Sequence, residues 1–404
     1  MKKIKIGLLG LLPNSTNKGC EALTYSFFEL VKQCLNFNIT FYFIEPFGLR
    51  NFLSLKSLKD HIYTKNKFLS SGIKVNFINF RYYKNRFIFL KNVKKLDFCI
   101  DFTEGDSFTD IYGNDRFLYW TKLKETIINR KIPLILGSQT IGPFSEMNKN
   151  YAISVINKCC AVFTRDIKSF QYVKSNSVIS PILTTDVAFF LPFNKKNNIS
   201  HKIKIGINPS GLLWNGGYTS DNQFNLTLNY KEFCRECIKV AIKIGAEIHL
   251  IGHVISNNFD DKDNDCVAIK ELHKEYPNTI VAPIFNSPVE AKNYISGMNG
   301  FIGARMHATI AAISSSVPVL PFSYSRKFEG LFETLDYHIM VHGQKDTFQQ
   351  SLIKIDNFLK NICQIANNEI INSNHIIDKL KTDMIKNYSF VFNKLIYPDS
   401  HNNY

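Results

Sequence analysis

The sequence predicts an α/β protein of two Rossmann-like domains facing each other across a cleft, with C-terminal helices packing back. Three observations predict it. Short continuous apolar stretches alternate with helical patterns along most of the 404 residues. The alternation breaks once, at the polar run Asn194-Lys195-Lys196-Asn197-Asn198, and then restarts. From about Asp346 only helical patterns remain. Apolar strands without polar alternation belong to parallel sheets covered by helices on both faces. Two such sets joined by a polar linker give domains at 1–192 and 201–345, followed by helices and a polar tail at 346–404.

The elements follow in order. Residues 4–12 form the first strand, since the run from Ile6 to Leu12 is apolar throughout. Residues 21–35 form an amphipathic helix with Leu23, Phe27, Leu30, Val31, Cys34 and Leu35 on one face. Residues 41–47 are the second strand, and a basic stretch at 50–95 follows. Further strands are expected at 96–101, 132–137, 161–164 and 182–185, with helices between them such as 116–130. After the linker, strands are expected at 203–207, 247–251, 279–281, 300–302 and 318–320.

Composition narrows the classes. Hydrophobic residues make up 45% of the chain, enough for a sizeable core. The chain opens Met1-Lys2-Lys3-Ile4 and runs into a strand, not a signal peptide. No apolar run reaches the ~18 residues of a membrane span. The expected location is therefore cytoplasmic, with a peripheral position on the inner leaflet of the cytoplasmic membrane also open. The nine cysteines include the adjacent Cys159 and Cys160, expected to be buried, and a lone C-x-x-C at Cys234 and Cys237. No second pair stands at zinc spacing, so all nine are expected as reduced thiols. The net charge of +15 is concentrated between Arg50 and Lys95, where twelve basic residues face one acid, Asp60. Nine Phe and Tyr are interleaved there, including Phe80, Tyr82, Tyr83, Phe87 and Phe89. Two readings stand: a solvated excursion, or a surface that docks on anionic lipid. Nucleic acid is set aside, because no recognition motif accompanies the charge.

The chemistry-bearing loops fall at strand ends, where ligand loops belong. The most informative is Gly303-Ala304-Arg305-Met306-His307-Ala308, between an apolar strand and a small-residue helix. It sets Arg305 and His307 at a helix N-terminus, a place that attracts anions. An isolated Arg-x-His is equally a structural feature. Other such loops are Asn14 to Ala22, Thr103 to Phe108, Gly137 to Phe144, Thr164-Arg165-Asp166, Asn208-Pro209-Ser210-Gly211 and Gly252-His253. The glycine spacing of the first is not that of a dinucleotide site.

From Ile4 to about Leu331 the chain resembles the polysaccharide pyruvyl transferase family. The resemblance rests on Asn17-x-Gly19-x-Glu21-Ala22, Gly105-Asp106-Ser107-Phe108, Ser138-Gln139-x-Ile141-Gly142-Pro143 and Arg165-Asp166 with Ser169. It rests further on Asp186-x-Ala188-Phe189, Arg305-x-His307-Ala308 and Tyr324-x-x-Lys327. Glu104 departs from the pattern, standing where the family commonly has a second glycine. The resemblance implies a GT-B-like fold and transfer of pyruvate from phosphoenolpyruvate onto two sugar hydroxyls, forming a cyclic ketal. Members act on capsule, exopolysaccharide or cell-wall precursors. No cofactor beyond the donor substrate is implied, and metal is not expected to be essential. The implied partners are phosphoenolpyruvate and a saccharide acceptor, lipid-linked at an anionic membrane surface in one reading.

Phosphoenolpyruvate carries a phosphate and a carboxylate, so its site needs fixed cations. Arg165, Arg305 and Lys327, with Ser210, are the expected donor-binding set. His307 is the expected general acid, giving a proton to the methylene carbon. Asp106 is the expected base, or equally a loop Asp capping the next segment. Asn17, Glu21, Phe108 and Gln139 are expected to hold the acceptor. Two rivals stay open: a GT-B sugar-nucleotide glycosyltransferase, and a non-catalytic scaffold in a polysaccharide assembly.

Overall fold

The computed structural model describes residues 3–45, 55–79, 91–106, 108–196, 202–256, 258 and 261–398. It divides into two compact units. The first comprises Met1–Asn14, Leu23–Val187 and Leu380–Tyr404; the second comprises Ser15–Ala22 and Ala188–Lys379. Each is built on a parallel sheet.

The first sheet holds β1 (Lys3–Leu9), β2 (Asn38–Glu45), β3 (Lys74–Asn79), β4 (Phe98–Asp101), β5 (Leu134–Gln139), β6 (Ala161–Thr164) and β7 (Ile182–Leu183). Its order is β3-β2-β1-β4-β5-β6-β7. β4, β5 and β6 are buried at every residue, as strands with helices on both faces must be. The second sheet holds β8 (Lys204–Asn208), β9 (Glu247–Leu250), β10 (Ile280–Val281), β11 (Gly300–Gly303), β12 (Val319–Ser323) and β13 (Val341–His342). Its order is β10-β9-β8-β11-β12-β13. In both, the order reverses beside the first strand, which is the Rossmann arrangement with its switch point there.

Eleven of these strands stand where the apolar runs predict them; β3 and β13 do not. β3 lies inside the basic stretch, and so does the helix Leu55–Leu69. Lys74, Val75, Asn76 and Phe77 alternate too briefly to stand out against the charge. β13 is two residues long and has no period to detect. Phe80, Tyr82, Tyr83, Lys84, Arg86, Phe87 and Phe89 lie outside the described residues.

The C-terminal helices are Phe348–Lys360, Ile362–Asn367 and Glu369–Ile396. The first starts at a capping box between Thr347 and Gln350. The end of the last packs back on the first sheet. Tyr388 stacks on Phe163 with ring centroids 3.9 Å apart, and its hydroxyl accepts the Ser138 backbone N–H at 2.9 Å. Cys234 and Cys237 are buried in the helix Tyr230–Lys243, and burial pushes both thiols up. Cys160, expected to be buried beside Cys159, is exposed: its backbone pairs with Leu134 while its side chain points outward. No helix among the described residues is long and apolar enough to cross a membrane.

Candidate active site

Every strand of the second sheet is parallel, so the carboxyl ends share one edge. Ligands of such sheets bind beyond that edge at the switch point, here between β8 and β11. Asn208 ends β8 and ties the two strands together. Its Oδ1 accepts the Arg305 backbone N–H at 3.1 Å, and its Nδ2 donates to the Ile251 carbonyl at 2.8 Å. Arg305 is the N-cap of the helix Met306–Ile313, with φ −94° and ψ 119°, which puts His307 in the first turn.

Ser15–Ala22 folds onto this edge. Asn17 forms an antiparallel bridge with Val254, and Ile255 N–H donates to the Thr16 carbonyl at 3.0 Å. Lys18 N–H donates to the His253 carbonyl at 2.9 Å. Gly19 is buried against His307, and a Cβ there would collide with the imidazole. Only a residue without a side chain lets the ring lie on the main chain. The loop was expected to serve the first domain; its hydrogen bonds put it in the second unit, beside His307.

The buried charge centre is Arg305 with Asp263 and Asp265. Arg305 Nη1 donates to Asp263 Oδ1 at 2.6 Å, and Nη2 donates to the Asp263 carbonyl at 2.6 Å. Nε and Nη2 donate to Asp265 Oδ1 at 3.0 and 2.6 Å. Asp265 also accepts the backbone N–H groups of Gly211, His253 and Val254, each at 2.9 Å. Burial opposes the guanidinium charge, but Asp265 and Asp263 outweigh it and hold the pKa above its usual value. Arg305, expected as a donor-binding cation, therefore has its fork already held by two carboxylates.

Other groups share the edge. Lys18 Nζ lies 2.7 Å from the buried Glu21 carboxylate. Lys327 is the second residue of the helix Arg326–Thr334, and its Nζ lies 5.2 Å from the Tyr324 ring centroid. Burial and the Asp263 charge push the Tyr218 hydroxyl up to about 12, with Arg305 and Lys327 pulling the other way. That places Tyr218 in the same field. Burial, then the charges of His307, Arg305 and Lys18, push the His253 imidazole down to about 3.

The first unit carries a second polar cluster at the carboxyl ends of β4, β5 and β6. Gln139 Nε2 donates to the Asp101 carbonyl at 2.8 Å and to Asp101 Oδ2 at 3.1 Å. Lys124 Nζ lies 3.2 Å from Asp101 Oδ2 and 4.2 Å from the Phe108 ring centroid. Burial lowers the Lys124 pKa against the pull of Asp101. Arg165 is 1% exposed; its Nη1 donates to Asp186 Oδ2 at 2.6 Å and its Nε to Thr140 Oγ1 at 2.9 Å. Asp106 Oδ2 accepts the Tyr112 hydroxyl at 2.8 Å. Glu104, at the position expected to be glycine, has φ 57° and pairs with Arg116. That left-handed backbone is one glycine adopts at no steric cost.

The structure thus gathers Glu21, Ser210, Arg305, His307 and Lys327, with the Asn17 loop, in the second unit. Asp106, Phe108, Gln139 and Arg165 belong to the first. Several of these side chains already have tasks within the fold. Asn17 Oδ1 caps the helix Lys18–Cys34 by accepting the Gly19 N–H at 2.9 Å. Ser210 is wholly buried and caps the short helix Gly211–Trp214. Phe108 is wholly buried beneath Lys124 and edge-on to Phe144, so it shapes its loop and offers no face to an acceptor. Sequence reasoning missed Lys18, Asp263 and Asp265, and noted His253 only as a loop. The acidic run from Asp260 to Asp265 in a basic chain was the available signal.

Residues 17–326 match the family described as polysaccharide pyruvyl transferase. No curated protein matches the chain. Among solved structures, the chain is similar to Staphylococcus aureus MnaA in a co-structure with UDP, at TM-score 0.54 and 11% identity, covering 98% of this chain and 96% of that one. It is similar to the UDP-GlcNAc 2-epimerase of Neisseria meningitidis bound to UDP-GlcNAc, at TM-score 0.53 and 11% identity, covering 96% and 99%. The UDP-GlcNAc 2-epimerase of Methanocaldococcus jannaschii follows at TM-score 0.51 and 12% identity, covering 89% and 93%. At these identities the likeness is one of fold, the GT-B type with two parallel-sheet domains.

Proposed function

The chain belongs to the polysaccharide pyruvyl transferase family, and from that premise we propose that it moves pyruvate from phosphoenolpyruvate onto two hydroxyls of a saccharide, forming a cyclic ketal. The observation that carries the reading is the cluster at the β8/β11 switch point. His307 rests on the Gly19 backbone at a helix start, on the sheet edge that also carries Lys18, Arg305 and Lys327.

The donor's phosphate and carboxylate need cations around them. Lys18 and Lys327 are the proposed direct contacts. Arg305, held by its two carboxylates, fixes the turn. His307 gives its proton to the methylene carbon, which becomes the methyl group, and positive charge develops at the neighbouring carbon. One sugar hydroxyl adds to that carbon, and inorganic phosphate leaves from it. The second hydroxyl then closes the ring. Of the two hydroxyl protons, one replaces that given by His307 and the other leaves with phosphate.

The test incubates the protein with phosphoenolpyruvate and candidate lipid-linked saccharides. The expected result is the mass of a ketal on the saccharide and stoichiometric phosphate. Stabilisation by nucleotide sugars and not by phosphoenolpyruvate would replace this reading with glycosyl transfer.

The acceptor is proposed to be lipid-linked, at an anionic membrane surface. What supports this is the basic stretch and the helix Leu55–Leu69, which exposes Ile62, Tyr63 and Leu69 beside Lys65. Lysines near such a surface are worth ~1 kcal/mol each and are screened by salt. Binding to phosphatidylserine-containing vesicles should fall as salt rises, and fall again when Lys91, Lys94 and Lys95 are neutralised. Equal binding to neutral vesicles would remove the electrostatic basis.

A further inference from the structure

His253 follows β9 at the edge that carries His307. Its main chain is held from two sides. The backbone N–H donates to Asp265 Oδ2 at 2.9 Å, and the carbonyl accepts the Lys18 N–H at 2.9 Å. The side chain is only 3% exposed. Neither Nδ1 nor Nε2 meets a hydrogen-bond partner among the described residues. Buried polar groups are almost always bonded, so such an exception calls for a physical reason. An imidazole that only filled space here would be better replaced by an apolar ring.

The groups whose charge bears on this ring are His307, Arg305 and Lys18. All are cationic or can become so, and the ring is buried among them. Under both influences His253 stays a neutral imidazole through the ordinary pH range. A neutral imidazole keeps one N–H donor and one lone pair. The partner that a neutral ring N–H takes is an oxygen acceptor, and the oxyanion of a bound substrate supplies one.

We infer that His253 is a donor-site residue that gives its ring N–H to an oxyanion oxygen of the bound phosphorylated substrate, beside His307. The inference rests on the reading of this edge as the phosphoenolpyruvate site, and it divides the work of two histidines. His307 exchanges the proton of the reaction; His253 keeps its own and orients the anion. The oxyanion is either the phosphate or the carboxylate of the donor, and separate ligands distinguish them.

The experiment compares wild type with His253→Phe and His253→Gln by thermal shift and calorimetry. The ligands are inorganic phosphate, pyruvate and phosphoenolpyruvate. The Phe variant removes two buried polar atoms that have no hydrogen-bond partner among the described residues, so the ligand-free protein should melt no lower than wild type. Its affinity for phosphoenolpyruvate should fall at least tenfold. His253→Gln, which keeps an N–H donor, should recover part of that loss. A parallel loss for phosphate assigns the contact to the phosphoryl group, and a parallel loss for pyruvate assigns it to the carboxylate. Unchanged affinity in the Phe variant overturns the inference, and so does a wild type that binds none of the three. Should the Phe variant fold poorly, ¹⁵N-histidine spectra of the wild type decide, with His253 assigned from the Gln variant. Its ring nitrogens should move on saturation with phosphoenolpyruvate, and a ring signal that stays still overturns the inference. These are binding readouts, so a failure to form ketal would count against the proposed reaction without deciding the role of His253.

Discussion

His307→Ala should lose ~10²–10⁴-fold in kcat, the usual contribution of a positioned proton donor. Affinity for phosphoenolpyruvate should change little, because Lys18, Arg305 and Lys327 all remain. The ring is half-buried against Gly19 and is not part of the core, so the melting temperature should stay close to wild type. His307→Gln should be no better than Ala in kcat, since a carboxamide has hydrogen-bond capacity but no acidic proton to transfer at neutral pH. Single-turnover kinetics with isothermal calorimetry separate the two quantities. Loss of binding and stability together would make His307 structural, and wild-type turnover would remove it from the chemistry.

Asp265→Ala should unfold more readily by about 3–5 kcal/mol, the cost of breaking a buried ion pair from one side. The expectation follows from what its carboxylate serves. It accepts Arg305 Nε and Nη2 and three backbone N–H groups, from Gly211, His253 and Val254. Its removal leaves Arg305 with Asp263 alone and three buried amides without their acceptor. Asp265→Asn keeps one oxygen and should lose less. Urea unfolding of the three proteins gives the comparison, and a midpoint for Asp265→Ala within experimental error of wild type would refute this account of the network.

Much of the candidate site was legible because its loops follow strands. Arg305 and His307 stood out as a strand-turn-helix with charge at the helix start, and the structure has that form. What each side chain does there was not legible. Arg305 meets Asp265, 40 residues away in the chain, and Arg165 meets Asp186. Phe108 looked available in a loop but lies wholly inside. His253 was legible only as a loop residue after a strand; its interest comes from burial without a hydrogen-bond partner among the described residues, which is a property of three dimensions.

By itself the sequence determined the α/β class, the two successive parallel sheets and the family. Those depend on local signals: uninterrupted apolar runs that bury both strand faces, turns at their ends, and short motifs in a fixed order. The tertiary structure alone decided which unit owns Ser15–Ala22, which cations are already neutralised, and which histidines lie together. The physical reason is range. A strand forms from neighbours two residues apart. The Lys18 N–H meets the His253 carbonyl 235 positions further along the chain, and Asp265 collects donors from three separate segments. Such pairings follow from how sheets and loops come together, and no local periodicity records them.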